Sequence, residues 1–483
     1  MSSDTVGGID PDDLAAYQRV LAQVADLPVE HPDAVTVRRA TAGLFKTVKE
    51  RRRAERRAAI LANDEAVTAA TATGAPGRID DETRGLPLSP AVAGAPAGTL
   101  IRARGCYVCK QRYRQVDAFY HQLCPDCAAR NHARREARAN LTGRRALLTG
   151  GRAKIGMYIA LRLLRDGAET TITTRFPRDA ARRFAAMEDS RDWLHRLRVV
   201  GLDLRDPAQV IALADSVNAR GPLDILINNA AQTVRRSAVS YALLMQAESA
   251  PLSSGPLPEL VTLGAVCADG AIAARAVIED QASHWAVTPQ VLAELSLAAQ
   301  SASPERVLVD TGVDAGGLIP DADAINSWTR PVEQVDPTEL LEVQLCNVTA
   351  PFILISRLRG ALAAAPARRT YIVNVSAMEG QFSRGYKGPG HPHTNMAKAA
   401  LNMLTRTSAQ ELFTDGILMT SVDTGWITDE RPLPTKLRLA NVGFHAPLDL
   451  VDGAARVYDP IVRGEAGEDL YGCFLKDYEP APW

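Results

Sequence analysis

Residues 149–156 read Thr-Gly-Gly-Arg-Ala-Lys-Ile-Gly, and this short stretch decides the fold that we expect. It follows an apolar run at 146–148 and precedes a segment whose apolar residues recur at helical spacing. A strand, a tight glycine turn and a helix in this order direct backbone N–H groups and the positive helix end at one point. The stretch therefore predicts an α/β fold that binds a phosphate-bearing ligand at the turn.

Strand-like and helix-like segments alternate along the chain after residue 144. The predicted strands cover 145–149, 169–174, 198–204, 223–228, 370–376 and 417–422. The predicted helices cover 155–166, 207–218, 340–359 and 396–412. This alternation is typical of a parallel, doubly wound sheet with helices on both faces.

The N-terminal part has a different character, which divides the chain into four regions. Asp10-Pro11-Asp12-Asp13 is typical of a helix start, and we predict a helical arm at 1–63 with a second helix over 34–63. Residues 64–100, rich in Ala, Gly, Pro and Thr, predict a linker. A small module at 101–140 and an α/β domain at 141–483 complete the division.

Four of the seven cysteines predict a metal site in the small module. Cys106-Tyr-Val-Cys109 and Cys124-Pro-Asp-Cys127 are paired knuckles whose four thiolates suit tetrahedral zinc in a structural role. We expect the spacer at 110–123 to form a short hairpin. We predict that the neighbouring His121 and His132 are packing residues and not ligands.

The bulk composition excludes several classes of protein. The formal net charge is −1, so no overall field draws the molecule to nucleic acid or to a membrane. No apolar run reaches the ~18–20 residues of a membrane span, and the first residues lack the regions of a secretion signal. We expect a cytoplasmic protein with no membrane partner.

Seven short motifs follow one another along the α/β part of the chain. They are the glycine turn at 149–156, Asp203-Leu204, Asn228-Asn229-Ala230-Ala231, Asn347, Ser376, Lys398 and the segment 423–428. In this order they resemble the short-chain dehydrogenase/reductase family over residues 144–480, with one insertion.

The resemblance implies a Rossmann-type fold, a nicotinamide dinucleotide cofactor and an oxidoreductase activity. It implies that Asn347 positions a water, that Ser376 hydrogen-bonds the substrate oxygen and that Lys398 orients the cofactor ribose. The cofactor-binding residues that it implies are Gly150, Arg152, Lys154, Ile155, Gly156, Arg175, Asp203, Leu204, Asn229, Ala230, Ala231, Lys398, Gly425 and Thr428.

The charge at the second strand end favours one form of the cofactor. An NAD site usually carries an acid there, whereas an NADP site accommodates the 2′-phosphate with a basic residue. This strand ends Thr173-Thr174-Arg175-Phe176 without an acid, and Arg152 and Lys154 add charge within the turn. We therefore predict NADP(H), with NAD(H) as the alternative, although Lys154 stands where the family has glycine.

One residue of the family's catalytic set is replaced. The family places a tyrosine four residues before the lysine, and this chain has Thr394 there. A threonine hydroxyl is a poor general acid, so another donor is needed. Tyr386, His391 and His393 are the candidates by sequence, and we favour Tyr386 or His391.

About a hundred residues, 232–335, are inserted after the fourth strand of the domain. Helix-like runs at 241–248 and 289–300 suggest a lid or a subdomain at the carboxyl edge of the sheet, where the substrate crevice lies. Arg235 and Arg236 bind an acidic substrate in one interpretation and pair with local acids in the other.

The sequence thus predicts an NADP(H)-dependent oxidoreductase that transfers hydride between nicotinamide and a carbonyl or activated double bond of a small molecule. One alternative is a catalytically degenerate relative that acts as a dinucleotide-binding sensor or scaffold. A second alternative is a nucleic-acid-binding protein. The resemblance also implies a homo-oligomer that pairs through the helices at 340–359 and 396–412, and we expect the apolar tail at 471–483 to be packed.

Overall fold

A computed structural model describes residues 8–76, 78, 94–252, 254–263 and 312–483. The chain forms two compact units, Met1–Ala66 and Val67–Trp483. The second unit contains both the cysteine module and the large sheet. The predicted helix at 289–300 lies outside the described residues.

The N-terminal unit consists of two helices. Helix α1, Pro11–Asp26, begins at Asp10, whose carboxylate accepts a 2.8 Å hydrogen bond from the backbone N–H of Asp12. Helix α2 spans Pro32–Ala69 and therefore extends six residues into the predicted linker. No proline interrupts this stretch and alanines recur at its end, so helix propensity carries the helix further than the change in composition suggested.

The cysteine module, residues 96–136, contains a hairpin and a helix. Strands β1, Pro96–Gly105, and β2, Arg112–Asp117, pair antiparallel, and helix α3 spans Pro125–Glu136. The prediction of a hairpin within the spacer is wrong, because β2 pairs with the strand that precedes Cys106. The first cysteine pair therefore occupies the turn between the two strands.

A nine-stranded sheet forms the centre of the second unit. Its strands are β3 Arg145–Leu148, β4 Glu169–Thr174, β5 Leu197–Gly201, β6 Ile225–Asn228, β7 Glu259–Thr262, β8 Thr370–Ser376, β9 Ile417–Asp423, β10 Phe474–Lys476 and β11 Glu479–Ala481. The order is β11-β10-β9-β8-β6-β3-β4-β5-β7, and all neighbours are parallel except β10 and β11. The predicted parallel, doubly wound fold is confirmed.

Helices cover both faces of this sheet. They are α4 Lys154–Arg165, α5 Pro177–Ala185, α6 Ser190–Trp193, α7 Pro207–Asn218, α8 Ala242–Ser249, α9 Pro337–Gln344, α10 Ala350–Ala363, α11 Pro392–Thr414, α12 Leu433–Asn441 and α13 Leu450–Glu465. Alternate residues of β3 point to opposite layers, as a strand requires. Leu148 packs in the core with residues of α4 and α13, and Leu147 packs in the core with residues of α7 and α10.

The predicted helix at 340–359 is longer and interrupted. Helices α9 and α10 are joined by a π-helical turn, Leu345–Thr349, which contains the buried Asn347. Such turns insert an extra residue into a helix and often occur at functional sites. Among the described residues, the stretch Pro337–Ala363 is also long and apolar enough to cross a membrane, but its Leu354 and Leu358 are buried in the core, where apolar helices are ordinary.

Ionic contacts attach the cysteine module to helix α13. Arg135 of α3 donates two hydrogen bonds to Asp449, of 2.6 and 2.8 Å, and lies 3.1 Å from Asp452. Tyr120 donates to the same Asp452 at 2.6 Å. All four side chains are buried, so removal of one partner leaves an uncompensated charge.

Strand β3 is the point at which the strand order of the sheet reverses, because later strands are added on both of its sides. Strand β3 pairs with β4 on one side and with β6 on the other. In open α/β sheets, ligands bind outside the carboxyl ends of the strands at such a switch point. The glycine turn follows the carboxyl end of β3, and therefore lies in this crevice.

Candidate functional site

The glycine turn leaves no room for a side chain at Gly150 or Gly156. Gly150 has a left-handed φ of +71°, and a Cβ on Gly156 would lie 2.0 Å from the carbonyl oxygen of Gly150. The hydroxyl of Thr149 accepts hydrogen bonds of 3.0 Å from the backbone N–H groups of Asn229 and Ala230. The turn and the segment after β6 therefore form one rigid support at the switch point.

Lys154 begins helix α4 with an unusual backbone and faces an acid from another segment. Its φ is +53°, in the left-handed region that favours glycine, which is the residue that the family resemblance led us to expect. Burial raises the pKa of Glu430, but Lys154, Lys436 and Arg236 outweigh burial and hold that pKa at about 2. Part of the charge of Lys154 is therefore balanced by a carboxylate beside the turn.

Arg152 is bound to the insertion and to helix α5. Its guanidinium donates to Asp179 at 2.6 Å and to the carbonyl oxygen of Gly316 at 2.8 Å. Asp179 also accepts from the fully buried Arg183 at 2.6 Å. Burial raises the pKa of Asp179, and the two arginines more than offset this, so the pKa is lowered. The structure thus gives Arg152 a local role that the sequence did not reveal.

Arg175, at the end of β4, lies within an aromatic pair. The Phe176 and Tyr241 rings are stacked with centroids 6.0 Å apart, and the Arg175 guanidinium lies over both, at 5.6 and 5.3 Å. Its Nη2 donates to the Tyr241 hydroxyl at 3.2 Å. Sequence reasoning missed Tyr241 as part of this site, although it begins the helix-like run that was predicted in the insertion.

Asp203 and Asn347 both make protein contacts at the carboxyl edge. Asp203 accepts from Arg205 at 2.6 Å, and Arg205 also donates to Glu342 at 2.7 Å. The side chain of Asn347 accepts from the backbone N–H of Gln232 at 2.7 Å and donates to its carbonyl oxygen at 3.1 Å. Asn347 therefore fixes the first residue of the insertion against the π-helical turn.

Ser376 ends β8, and the ammonium of Lys398 contacts this strand end. Lys398 is buried and its Nζ donates to the carbonyl oxygen of Val375 at 2.8 Å. Thr394 precedes Lys398 by one turn of α11, so both side chains point to the same side. The hydroxyls of Ser376 and Thr394 are buried, and neither has a hydrogen-bond partner among the residues that the structure describes. Each of these two hydroxyls therefore retains a donor that a ligand atom can accept.

The ammonium of Lys398 is tuned by burial and by two neighbours. Burial lowers its pKa to about 8, while Glu379 and Cys346 oppose the shift. Burial also raises the pKa of the Cys346 thiol to about 11. Glu379 and Cys346 were not among the predicted site residues, because they belong to no recognised motif.

The structure exposes one of the two favoured proton donors and engages the other in contacts with the protein. The Tyr386 side chain is 77% exposed. His391 is stacked on Trp328 with ring centroids 3.7 Å apart, and its Nδ1 lies 2.8 Å from the Trp328 carbonyl oxygen. Burial lowers the pKa of His391, and a neutral ring that donates through Nδ1 leaves Nε2 as an acceptor. The buried His393 lies 3.5 Å from Glu339.

The segment after β9 closes one side of the crevice, and we call residues 425–430 the crevice wall. Gly425 has φ +77°, and a Cβ there would lie 2.6 Å from Leu448. Thr428 donates to Glu430 at 3.1 Å, and Glu430 is the acid that faces Lys154. The crevice wall therefore lies close to the glycine turn.

Four thiols form a compact cluster in the cysteine module. The Sγ atoms of Cys106, Cys109, Cys124 and Cys127 all lie within 4.8 Å of one another. Zinc at about 2.3 Å from four sulfurs places them roughly 3.8 Å apart, so the cluster fits tetrahedral zinc. His121 contacts Thr73 at 2.8 Å and His132 lies 3.2 Å from Asp117, so both histidines have protein partners.

Arg235 and Arg236 have acidic neighbours in the described structure. Arg235 lies 3.6 Å from Glu342, and Arg236 lies 3.8 Å from Asp321. These contacts match the interpretation in which the two arginines pair with local acids.

Comparisons with known proteins extend this description. The family described as short chain dehydrogenase matches residues 144–246. An uncharacterized protein of Acanthamoeba polyphaga mimivirus is 30% identical over 377 residues, which cover 74% of this chain and 71% of that protein. A probable oxidoreductase of Streptomyces lividans is 42% identical over 91 residues, which cover 19% of this chain and 29% of that protein. A short chain dehydrogenase from Burkholderia cenocepacia, solved in complex with NADP, is 20% identical with a TM-score of 0.42, and the match covers 70% of this chain and 97% of that chain.

Proposed function

Because this chain belongs to the short-chain dehydrogenase/reductase family, we propose that it is an NADP(H)-dependent oxidoreductase acting on a small molecule. Its substrate would carry a carbonyl group or an activated double bond. The observation that carries this proposal is the pair of unpartnered buried hydroxyls, Ser376 and Thr394, beside the buried Lys398. Ser376 ends β8, and Thr394 and Lys398 lie in the first two turns of α11.

The residues of the crevice fit a dinucleotide. Space is kept at Gly150 and Gly156, where added side chains would meet backbone atoms, and the turn precedes a helix N-terminus that favours phosphate. Arg175, flanked by two aromatic rings at the end of β4, supports the choice of NADP(H), because a bidentate guanidinium suits a 2′-phosphate. The protein contacts of Arg152 with Asp179 and Gly316 leave Arg175 as the stronger candidate for that role.

The proton would come from Lys398 through the hydroxyl of Thr394. When bound, the reduced nicotinamide supplies the hydride. Ser376 would donate a hydrogen bond to the substrate oxygen. Thr394 would transfer a proton to that oxygen and recover one from Lys398, which becomes a neutral amine. A pKa of about 8 suits this role, since a general acid works best near the operating pH. The exposure of Tyr386 and the tautomer of His391 favour this relay over the two donors suggested by sequence.

The four-cysteine cluster would hold a structural zinc ion. Its thiol donors and their spacing support zinc, and the proximity of all four sulfurs indicates that no ligand position is left for a substrate. We also propose a homo-oligomer paired through α10 and α11, whose Phe352 and Met403 are exposed apolar side chains.

A catalytically degenerate protein is the second candidate. It is favoured by Thr394 itself, because the family's phenol is absent from this position. Such a protein would keep the dinucleotide site and act as a sensor or scaffold.

One titration tests the proposed cofactor and one assay tests the chemistry. We expect calorimetry of the zinc-loaded protein to give micromolar binding of NADPH and weaker binding of NADH. We then expect NADPH oxidation with at least one member of a panel of aldehydes, ketones and enones. Binding without turnover across the panel would favour the sensor, and the absence of binding would contradict both candidates.

A further inference from the structure

The cysteine module touches the crevice wall directly. The backbone N–H of Trp426 donates a 2.9 Å hydrogen bond to the hydroxyl oxygen of Tyr107. Tyr107 stands between the two cysteines of the first pair, and Trp426 stands in the crevice wall. The two residues are 319 positions apart in the chain, so the contact joins two separate parts of the site.

The position of Tyr107 depends on the cysteine cluster. Its side chain projects from the tight turn that begins with Cys106, and its backbone N–H donates to the Gln122 carbonyl oxygen at 2.8 Å. Gln122 lies two residues before Cys124, so this bond joins the two knuckles. Small four-cysteine sites take part of their folding free energy from the metal. The ion would therefore fix the hydroxyl of Tyr107 in space.

The position of Trp426 in turn shapes the crevice. Its ring lies 5.2 Å from the Phe444 ring, and the Arg431 guanidinium lies over both rings, at 5.9 and 5.4 Å. The next residue, Ile427, is buried among residues of the cysteine module, with Ile155 of the glycine turn packed against the same cluster. A shift of Trp426 would consequently move groups that border the dinucleotide crevice.

We propose that Tyr107 is a positioning residue that couples metal binding at the four-cysteine cluster to the crevice wall. The inference rests on the proposed zinc site, but it requires no oxidoreductase activity. Another hydrogen bond of the module lies farther along the chain, where Gln122 donates to the His445 carbonyl oxygen at 3.5 Å. The hydrogen bond of Tyr107 reaches the crevice wall itself, where Ile427 also packs against the module.

Hydrogen exchange measured by mass spectrometry tests the coupling on the full-length protein. The samples are zinc-loaded protein, protein stripped with a chelator and protein reloaded with Zn²⁺, with zinc content measured for each. Tyr107→Phe removes the acceptor and keeps the ring. Tyr113→Phe is the matched control, because its buried hydroxyl donates to the His121 carbonyl oxygen inside the module at 3.0 Å.

We expect zinc removal to raise amide exchange at residues 424–431 and 444–450, and reloading to restore protection. Zinc-loaded Tyr107→Phe should raise exchange roughly three- to tenfold at 424–431 only, the effect of losing one hydrogen bond. Tyr113→Phe should exchange there like the wild type. Exchange of the amides of β8 and β9 reports global unfolding. If zinc removal also raises exchange in these strands, the comparison of the zinc-loaded variants tests the coupling instead.

Three results would overturn the inference. The first is wild-type protection of 424–431 in zinc-loaded Tyr107→Phe. The second is equal protection of this segment with and without zinc. The third is a purified protein that binds no zinc. A failure of the oxidoreductase proposal would be recognised separately, since no dinucleotide or substrate enters the experiment.

Discussion

Lys398 donates a hydrogen bond of 2.8 Å to the carbonyl oxygen of Val375, which places its buried ammonium beside the strand end that carries Ser376. This relationship gives the first prediction, a pH dependence of carbonyl reduction. Burial lowers the pKa of Lys398 to about 8, while Glu379 and Cys346 oppose the shift. The protonated form donates, so kcat for reduction should be constant below the pKa and fall about tenfold per pH unit above it.

Steady-state rates between pH 6 and 10, at saturating NADPH, check this dependence. The reverse oxidation needs the neutral amine and should rise over the same range. A reduction rate that stays level up to pH 10 would remove Lys398 from the relay.

The second prediction separates activity from stability at Thr394. In Thr394→Val the relay is broken, so kcat should fall by roughly 10²–10⁴-fold, the usual contribution of a positioned acid. The free energy of unfolding should stay level or rise, because the variant removes a buried hydroxyl that has no partner among the described residues. Turnover assays and urea denaturation measure the two effects.

Thr405→Val is the control for that experiment. Thr405 is buried on the same helix, and its hydroxyl contacts Ser421 and the Leu401 carbonyl oxygen at 2.8 and 3.1 Å. This variant should lose about 1–3 kcal/mol of stability, because it also leaves the buried side-chain amide of Asn374 without its acceptor at 2.9 Å, and it should keep its kcat. Full activity in Thr394→Val would show that the hydroxyl takes no part in the reaction.

The third prediction concerns the preference for NADP(H). Arg175→Leu should weaken NADPH binding by about 10- to 100-fold, as expected for the loss of a charge-assisted contact, and change NADH binding little. Calorimetry with both dinucleotides gives the ratio. Arg178→Leu removes the same charge from the first turn of α5, where Arg178 is exposed and contacts the Ala250 carbonyl oxygen, and should leave the ratio unchanged. Equal losses for the two dinucleotides would place the 2′-phosphate elsewhere.

The fourth prediction tests the glycine turn. Gly156→Ala would bring a Cβ to 2.0 Å from the Gly150 carbonyl oxygen, so the backbone must move. We expect dinucleotide binding to be lost and stability to fall by about 1–3 kcal/mol, the usual range for overpacking. Gly360→Ala is the control, because no atom lies within 4 Å of a Cβ there and the residue is inside α10. That variant should gain about 0.5–1 kcal/mol from helix propensity. Unchanged calorimetric titrations of Gly156→Ala would argue against a dinucleotide at this turn.

The sequence predicted those parts of the structure that depend on local patterns. Strand β4 and helix α7 have the predicted bounds. Both could be predicted because the residues that determine them lie in the segment or next to it. Ser376 and Lys398 were found through motifs with fixed spacing, and the structure places Ser376 at the end of β8 and the Lys398 ammonium against the carbonyl oxygen of Val375.

Contacts between segments that are distant in the chain could not be predicted from such local patterns. Arg152 has two hydrogen-bond partners, Asp179 and Gly316 of the insertion, and no sequence spacing connects either of them to Arg152. The stacking of Tyr241 on Phe176 also depends on how the insertion folds back. The interruption of the long helix at 345–349 is a third case, because the contacts of Asn347 with Gln232 lie outside the helix.

The insertion cannot be treated as a removable loop. The carbonyl oxygens of its Ala315 and Gly316 accept hydrogen bonds from Arg183 and Arg152, and its strand β7 pairs along the outer edge of β5. A shortened chain would leave the buried Arg183 short of an acceptor and would replace the edge of β7 by that of β5, a buried strand that could then pair with other molecules. An engineered protein without the insertion should therefore aggregate unless Arg183 is replaced and charged residues are placed along the newly exposed strand edge.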